Sequence, residues 1–148
     1  MQVQWENTKL IQWTKGLILR KDVIVAKLLL IEDEAGVQDY FKAVVSRMGH
    51  DLLTADDGSS GIKLVQEESA DVIMTDLNMP GEPSGMALVR RIREVRPDTP
   101  VIVVSGYPTK ERIDECNALG IEDFLTKPFE MTFFSSVITR LLEEKGVK

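Results

Sequence analysis

Between residues 28 and 142, short apolar runs alternate five times with segments in which apolar residues recur at helical spacing. The runs are 28–31, 52–55, 72–75, 101–104 and 121–125. Apolar runs of this length, bounded by turn residues, are typical of buried strands, and an intervening helix makes successive strands parallel. Because such crossovers are right-handed, the pattern predicts a doubly wound α/β fold with a parallel five-stranded sheet covered on both faces.

Composition excludes several classes of function. The 148 residues carry a formal net charge of −6, which argues against direct binding of nucleic acid or an anionic membrane. A single cysteine, Cys116, excludes an intramolecular disulfide and a cysteine-based zinc site, and a single histidine, His50, excludes a histidine-rich metal site. The most apolar stretch, 17–31, contains charged residues, so we expect no membrane span. The amino terminus lacks the pattern of a secretory signal, and the single cysteine fits a reducing, cytoplasmic setting.

The first 26 residues differ from the rest in charge and aromatic content. They hold four basic and two acidic residues and both tryptophans, whereas the remainder is net negative. We therefore predict an N-terminal extension of unknown role over 1–26, followed by a domain over 27–148. Leu10, Trp13 and Leu17 have helical spacing. The segment is interpreted either as a leader or as an amphipathic segment that docks Trp5 and Trp13 on the domain or on a second copy.

Polar side chains follow four of the five predicted strands. They are Glu32, Asp33 and Glu34 after the first, Asp76 and Asn78 after the third, Ser105 after the fourth and Lys127 after the fifth. In doubly wound folds the site lies outside the carboxyl ends of the strands, so these groups are expected at one edge. Crowded carboxylates require a cation, and an all-oxygen donor set favours a hard ion such as Mg²⁺. A carboxylate beside Mg²⁺, an amine and a hydroxyl is equipped to receive a phosphoryl group.

Four segments carry a family resemblance: LLLIEDEAGVQDYFKAVVSRMGH, DVIMTDLNMPG, VIVVSGY and EDFLTKPF. Together they resemble the receiver domain of bacterial two-component response regulators, in particular the single-domain chemotaxis type, over residues 27 to about 144. The resemblance implies a (βα)₅ flavodoxin-like sandwich with sheet order 2-1-3-4-5. It also implies a phosphorylation-switched signalling domain rather than an enzyme with turnover.

The resemblance assigns the acidic residues to phosphoryl transfer. Asp76 matches the acceptor of a phosphoryl group from a sensor histidine kinase or a histidine phosphotransfer protein. Asp33 and Asp76 would ligate Mg²⁺ together with the main-chain carbonyl of Asn78, and Glu32 would act through water.

The same resemblance assigns a switch. Lys127 would contact the phosphoryl oxygens, and Pro128 would follow a cis peptide bond. Ser105 and Phe124 would couple the site to the face formed by the fourth helix, fifth strand and fifth helix of the domain. Because few residues follow the last helix, output is expected through another protein, with a homodimer as a further possibility.

Three departures from the family pattern affect the site. Glu32 replaces the commoner aspartate, Phe124 lacks the hydroxyl of a tyrosine, and the loop 79–85 is one residue longer than usual. Asn78 and Tyr107 flank the expected path of water, and shielding by the Tyr107 ring predicts a long-lived phosphoryl group.

Alternative functions are a pseudo-receiver that acts only as an interaction module, and a cofactor binder or phosphatase of the same architecture. Asp33, Asp76 and Lys127 disfavour the first, because pseudo-receivers usually lose such groups. The acidic residues after the first strand would repel a cofactor phosphate, and Glu34 and Ala35 do not give the second acid expected for a haloacid-dehalogenase-type phosphatase.

Three further features have structural interpretations. His50 is expected in a surface turn, and Cys116 as a small packing residue in a helix. Four arginines on the third helix are interpreted as a solvated face, with an anionic docking patch as the lesser alternative; they are Arg90, Arg91, Arg93 and Arg96.

Overall fold

The N-terminal extension contains a β-hairpin. The computed structural model describes residues 25–144 and the backbone of residues 9–13 and 16–20. Strands β1 (Lys9–Trp13) and β2 (Gly16–Arg20) pair antiparallel as a separate two-stranded sheet. The helical interpretation of this segment is therefore wrong, because Gly16 disfavours a helix and the isoleucines in both strands favour extended backbone. Trp5 and the proposed docking of the tryptophans lie outside what the structure describes.

A five-stranded parallel sheet forms the centre of the domain. Its strands are β3 (Lys27–Ile31), β4 (Asp51–Ala55), β5 (Val72–Asp76), β6 (Val101–Ser105) and β7 (Asp123–Thr126). The order across the sheet is β4-β3-β5-β6-β7, which is 2-1-3-4-5 when its strands are counted along the chain. This confirms the predicted fold. Leu28 of β3 is aligned with Leu52 of β4 and Val72 of β5 in the parallel register.

A helix follows each strand of this sheet. The helices are α1 (Ala35–Arg47), α2 (Gly58–Glu67), α3 (Gly85–Val95), α4 (Lys110–Ala118) and α5 (Met131–Glu144). Helix α4 begins at Lys110, because the Thr109 hydroxyl accepts a hydrogen bond from the Arg112 N–H (3.2 Å) and caps the helix. Gly61 lies inside α2 and packs against Ile31. A Cβ atom on Gly61 would be only 2.6 Å from Ile31 Cδ1.

Two apolar cores lie on opposite faces of the sheet, because side chains alternate along each strand. Leu28 and Leu30 point to the face covered by α1 and α5, where Phe41 and Phe134 are buried. Leu29 and Ile31 point to the other face, which contacts side chains of α2, α3 and α4. Cys116 of α4 is buried in this second core, and burial raises the pKa of its thiol.

Two arginines of α3 bind backbone carbonyl groups. Arg93 donates to the carbonyl oxygens of Pro97 (3.0 Å), Thr99 (2.9 Å) and Gly120 (3.0 Å) and to Glu122 Oε1 (3.0 Å). These bonds connect the end of α3 to the segments that precede β6 and β7. The prediction of a uniformly solvated arginine face is therefore wrong at this position.

Arg96 also differs from that prediction. Its guanidinium donates to the carbonyl oxygens of Val65 (3.0 Å), Gln66 (3.1 Å) and Glu68 (3.4 Å), at the end of α2. Carbonyl groups at the end of a helix lack partners within the helix, so this arginine satisfies them from a neighbouring element.

Two arginines of α3 and the single histidine have more local contacts. Arg90 pairs with Glu115, and Arg91 pairs with Glu94 at 3.2 Å, both in exposed positions. His50 is half-buried, and its Nδ1 accepts a hydrogen bond from the Ala26 N–H at 3.0 Å. It therefore has a structural contact at the sheet end opposite the acidic residues.

Among the described residues, no helix has the length and apolar character needed to cross a membrane.

Candidate functional site

The carboxyl ends of four strands bring the predicted site residues to one edge of the sheet. Asp76 is the last residue of β5 and Ser105 the last of β6, while Glu32 and Lys127 directly follow β3 and β7. Hydrogen bonds of the loops fix this arrangement: the Glu32 N–H donates to the Ala55 carbonyl (2.9 Å), and the Lys127 N–H donates to the Ser105 carbonyl (2.8 Å).

Lys127 lies between two buried carboxylates. Its Nζ donates to Glu32 Oε1 at 2.9 Å and to Asp76 Oδ2 at 3.0 Å. Glu32 is 1% exposed and Asp76 is 3% exposed, so each depends on protein groups rather than bulk water for compensation. One ammonium group therefore partly neutralises two acids that arrive from different strands.

Burial and neighbouring charges shift the pKa of two of these groups. Burial is the main cause of a raised pKa at Glu32; repulsion from Asp76 adds to the increase, and the hydrogen bond from Lys127 opposes it. Burial alone would lower the pKa of Lys127, but hydrogen bonds and attraction to Glu32 and Asp76 outweigh it and raise that pKa. Lys127 is therefore a permanent positive charge at neutral pH.

Three carboxylates form a set of oxygen donors. Oxygens of Glu32, Asp33 and Asp76 lie within 4.8 Å of one another, and Asp33 is exposed at the rim. The donor set contains neither imidazole nor thiolate, and it has more negative charge than one lysine neutralises. These residues therefore fit a hard divalent cation.

Backbone amides and small polar groups complete the rim. The Asn78 N–H donates to Asp76 Oδ1 at 3.0 Å, and its side-chain amide donates to Ser105 Oγ at 3.4 Å. The buried Ser105 hydroxyl also accepts from the Tyr107 N–H at 3.1 Å. The serine oxygen thus accepts hydrogen bonds from the loops that follow β5 and β6.

The remaining predicted residues lie next to this group. Phe124 on β7 is half-buried against the second core. The Lys127–Pro128 peptide bond is cis, and so is Glu82–Pro83 in the long loop.

The long loop 79–85 contacts helix α2. A Cβ atom on Gly58, the first residue of α2, would lie 1.8 Å from the Pro83 carbonyl oxygen. This close approach requires glycine at residue 58. Gly81 in the loop and Gly85, the first residue of α3, have positive φ angles of 85° and 57°.

The sequence analysis missed Gln38. Its side-chain amide donates to the Glu32 carbonyl oxygen and to Asp56 Oδ1, the latter at 2.8 Å. A signal existed, because Gln38 is a polar residue three positions before Phe41 on the helix face that enters the core.

Comparisons with known proteins agree with this geometry. The sequence model of the response regulator receiver domain matches residues 28–139. The DNA-binding transcriptional regulator NtrC of Azospirillum brasilense is 31% identical over 117 residues, which are 79% of this chain and 24% of that protein. The chain thus spans about a quarter of this relative's length.

Solved structures of two receivers are similar as well. Chemotaxis protein CheY4 of Vibrio cholerae superposes with a TM-score of 0.73 at 27% identity, over 80% of this chain and 99% of that one. A response regulator receiver domain protein of Clostridium thermocellum gives a TM-score of 0.76 at 29% identity, over 82% and 98% of the two chains.

The relatives correct one expectation from composition. The prediction that nucleic acid is not bound directly conflicts with the DNA-binding function named for NtrC. Net charge describes the average of a chain and does not exclude a separate DNA-binding region in such a relative. The receiver resemblance itself is confirmed: with the family match over 28–139, this chain belongs to the response regulator receiver domain family.

Proposed function

We propose that this receiver accepts a phosphoryl group on Asp76 from the phosphohistidine of a sensor kinase or a histidine phosphotransfer protein. A carboxylate oxygen of Asp76 forms the new O–P bond, the N–P bond of the donor breaks, and its electron pair returns to the imidazole. The product is an acyl phosphate on Asp76. The single observation that carries this proposal is the Lys127 ammonium 3.0 Å from the Asp76 carboxylate at the edge of the sheet.

Divalent cation binding belongs to the same proposal. Asp33 and Asp76, with the main-chain carbonyl of Asn78, would hold Mg²⁺, and Glu32 would act through water. When bound, the cation supplies positive charge that offsets the phosphoryl oxygens and the acidic side chains. Lys127 supplies a second positive charge and orients the Asp76 carboxylate.

Ser105 and Phe124 would transmit phosphorylation to the surface. The Ser105 hydroxyl already lies between the Asn78 amide and the Tyr107 N–H, so exchange of these bonds for one to a phosphoryl oxygen would move the β6–α4 loop. The signal would reach an output partner, or a second copy in a homodimer, through the face of α4, β7 and α5. We place the reaction in the cytoplasm, as in the family.

A pseudo-receiver remains the alternative, because a protein-interaction module would need no phosphorylation. Asp33, Asp76 and Lys127 favour the acceptor function, since each of the groups that the chemistry uses is present.

The test is intact-protein mass after incubation with acetyl phosphate and Mg²⁺, for the wild type and Asp76→Asn. We expect one phosphoryl adduct that requires Mg²⁺ and is absent from the variant. If the wild type stays unmodified and forms no beryllofluoride complex, the pseudo-receiver is the better description.

The lifetime of the adduct gives a further prediction. Tyr107 is 68% exposed in the loop after β6. We propose that its ring folds over the acyl phosphate and excludes water. Tyr107→Ala should therefore lose the phosphoryl group faster than the wild type, measured as decay of the adduct by mass. Phe133→Ala, an exposed aromatic residue on α5, is the control. Equal decay of wild type and Tyr107→Ala would contradict the shielding.

A further inference from the structure

Gln38 is a buried amide beside the acidic site. It lies in α1, is 8% exposed, and is flanked by side chains of the apolar core such as Phe41. A polar group in such a position costs free energy unless hydrogen bonds compensate it. Its partners therefore identify what the residue does.

Both partners of Gln38 are acceptors. The side-chain nitrogen donates one hydrogen to the Glu32 carbonyl oxygen and the other to Asp56 Oδ1 at 2.8 Å. A carbonyl oxygen cannot donate, so the amide nitrogen rather than the amide oxygen must face it. One NH₂ group thereby joins the β3–α1 loop to the β4–α2 loop.

This bridge fixes the peptide group that carries the acidic pair. The Glu32 N–H is held by the Ala55 carbonyl at 2.9 Å, and the carbonyl of the same residue is held by Gln38. That carbonyl belongs to the peptide between Glu32 and Asp33. Its orientation determines where the Asp33 side chain leaves the backbone.

The bridge matters because the carboxylates repel each other. Oxygens of Glu32, Asp33 and Asp76 lie within 4.8 Å, and repulsion favours any backbone motion that separates them. If the loop is free to move the carboxylates apart, it must become ordered when a cation binds. The entropy lost in this ordering reduces the affinity for the cation.

We propose that Gln38 is a positioning residue that holds Glu32 and Asp33 in place for the divalent cation by tying their loop to Asp56. The inference rests on the proposed function, because it concerns the cation that phosphorylation uses. Gln38 itself ligates nothing; it acts through the peptide group that it binds.

Calorimetric titration with Mg²⁺ tests the proposal on the full chain. Gln38→Met removes both hydrogen bonds at similar volume and should weaken Mg²⁺ binding by about tenfold, as for other groups that orient metal ligands. Gln66→Met makes the same substitution at an exposed site on α2 and should bind Mg²⁺ as the wild type does.

Asp56 provides a second pair of variants outside the core. Asp56→Ala removes the acceptor and should also weaken Mg²⁺ binding, whereas Asp56→Asn keeps an oxygen for the Gln38 amide and should bind nearly as the wild type does. Because Asp56 is exposed, these variants test the bridge even where Gln38→Met fails to fold.

The outcomes separate this inference from the proposed function. Wild-type Mg²⁺ affinity in both Gln38→Met and Asp56→Ala would overturn the positioning role and leave the proposed function intact. A wild type that binds no Mg²⁺ would overturn both. Thermal unfolding without Mg²⁺ distinguishes a structural role, because lower stability with unchanged Mg²⁺ affinity would also overturn the inference.

Discussion

At the scale of single residues, side chains from distant positions satisfy one another at the site. The ammonium group of Lys127 donates hydrogen bonds to Glu32 and Asp76, and the side-chain amide of Gln38 donates to two acceptors. Removing Lys127 would leave the buried Glu32 and Asp76 without their compensating charge, which costs more than the ion pairs contribute. Substitutions at this site are therefore expected to affect stability as well as the proposed phosphorylation, and each variant needs both measurements.

Gly58 gives a prediction that depends on a single atom. Gly58→Ala would place a Cβ atom 1.8 Å from the Pro83 carbonyl oxygen, and backbone atoms there cannot move without displacing the long loop. We expect a loss of about 1–3 kcal/mol in the free energy of unfolding, measured by urea denaturation.

The matched control for Gly58 is Gly36 in α1. A Cβ atom on Gly36 meets nothing within 4 Å, so Gly36→Ala should stabilise the protein by up to about 1 kcal/mol through helix propensity. Equal stability changes at the two glycines would contradict the close approach of loop 79–85 to α2.

At the scale of elements, the N-terminus of α2 depends on a charged cap. Asp57 Oδ1 accepts hydrogen bonds from the Ser60 N–H (2.8 Å) and hydroxyl (2.7 Å), and these bonds lower the pKa of Asp57 below its ordinary value of 3.8. A lowered pKa in the folded state means that the ionised carboxylate stabilises the fold above pH 3.8. This contribution to stability is lost as the pH falls through the lowered pKa that Asp57 has in the folded state.

Thermal unfolding as a function of pH tests this cap. Asp57→Ala should lower the Tm at pH 7 by a few degrees. The difference in Tm between the wild type and this variant should become smaller at acidic pH, because protonation removes the charge of the wild-type cap. Asp57→Asn keeps a capping oxygen without the charge and should retain more stability at neutral pH than the alanine variant. A wild-type-to-alanine difference that is constant with pH would contradict a charged cap.

Arg93 connects three elements at the opposite end of the sheet. Its guanidinium makes three hydrogen bonds to backbone carbonyls and one to Glu122, with 16% of the side chain exposed. Arg93→Met should cost about 2–3 kcal/mol in urea denaturation, because those acceptors lose a charged donor. Arg91→Met breaks only an exposed ion pair and should change stability by less than about 1 kcal/mol. The reverse ranking would contradict the role of Arg93.

At the scale of the whole molecule, the strand order makes the site. The first strand of the sheet, β3, lies between β4 and β5, so its acidic loop is adjacent to Asp76 although more than 40 residues of chain separate them. A cation bound to these carboxylates would stabilise the folded state, because the unfolded chain does not hold them together.

Differential scanning calorimetry in Mg²⁺ measures this coupling. At about 100 times its dissociation constant, Mg²⁺ should add about 2.7 kcal/mol to the free energy of unfolding. The increase should be largely absent from Asp33→Asn, with NaCl at equal ionic strength as the control. An equal increase in wild type and Asp33→Asn would show that Mg²⁺ acts elsewhere.

The sequence by itself determined the elements and which residues end them. Apolar periodicity is local information, so it located five strands and five helices, and it placed Asp76, Ser105 and Lys127 at strand ends. Local spacing failed for residues 9–13 and 16–20, where three apolar positions fit a helix but the backbone forms two antiparallel strands. Strand pairing there, rather than spacing, set the conformation.

Only the tertiary structure decided which groups touch. Lys127 binds Glu32, which is 95 positions away in the sequence, and Gln38 binds Asp56, which is 18 positions away. The sequence between the partners does not indicate either pairing. Side-chain partners depend on how helices and loops pack against the sheet, because burial removes water and obliges each polar group to find a protein partner. The sequence therefore determined which residues form the site, and packing determined which of them are in contact.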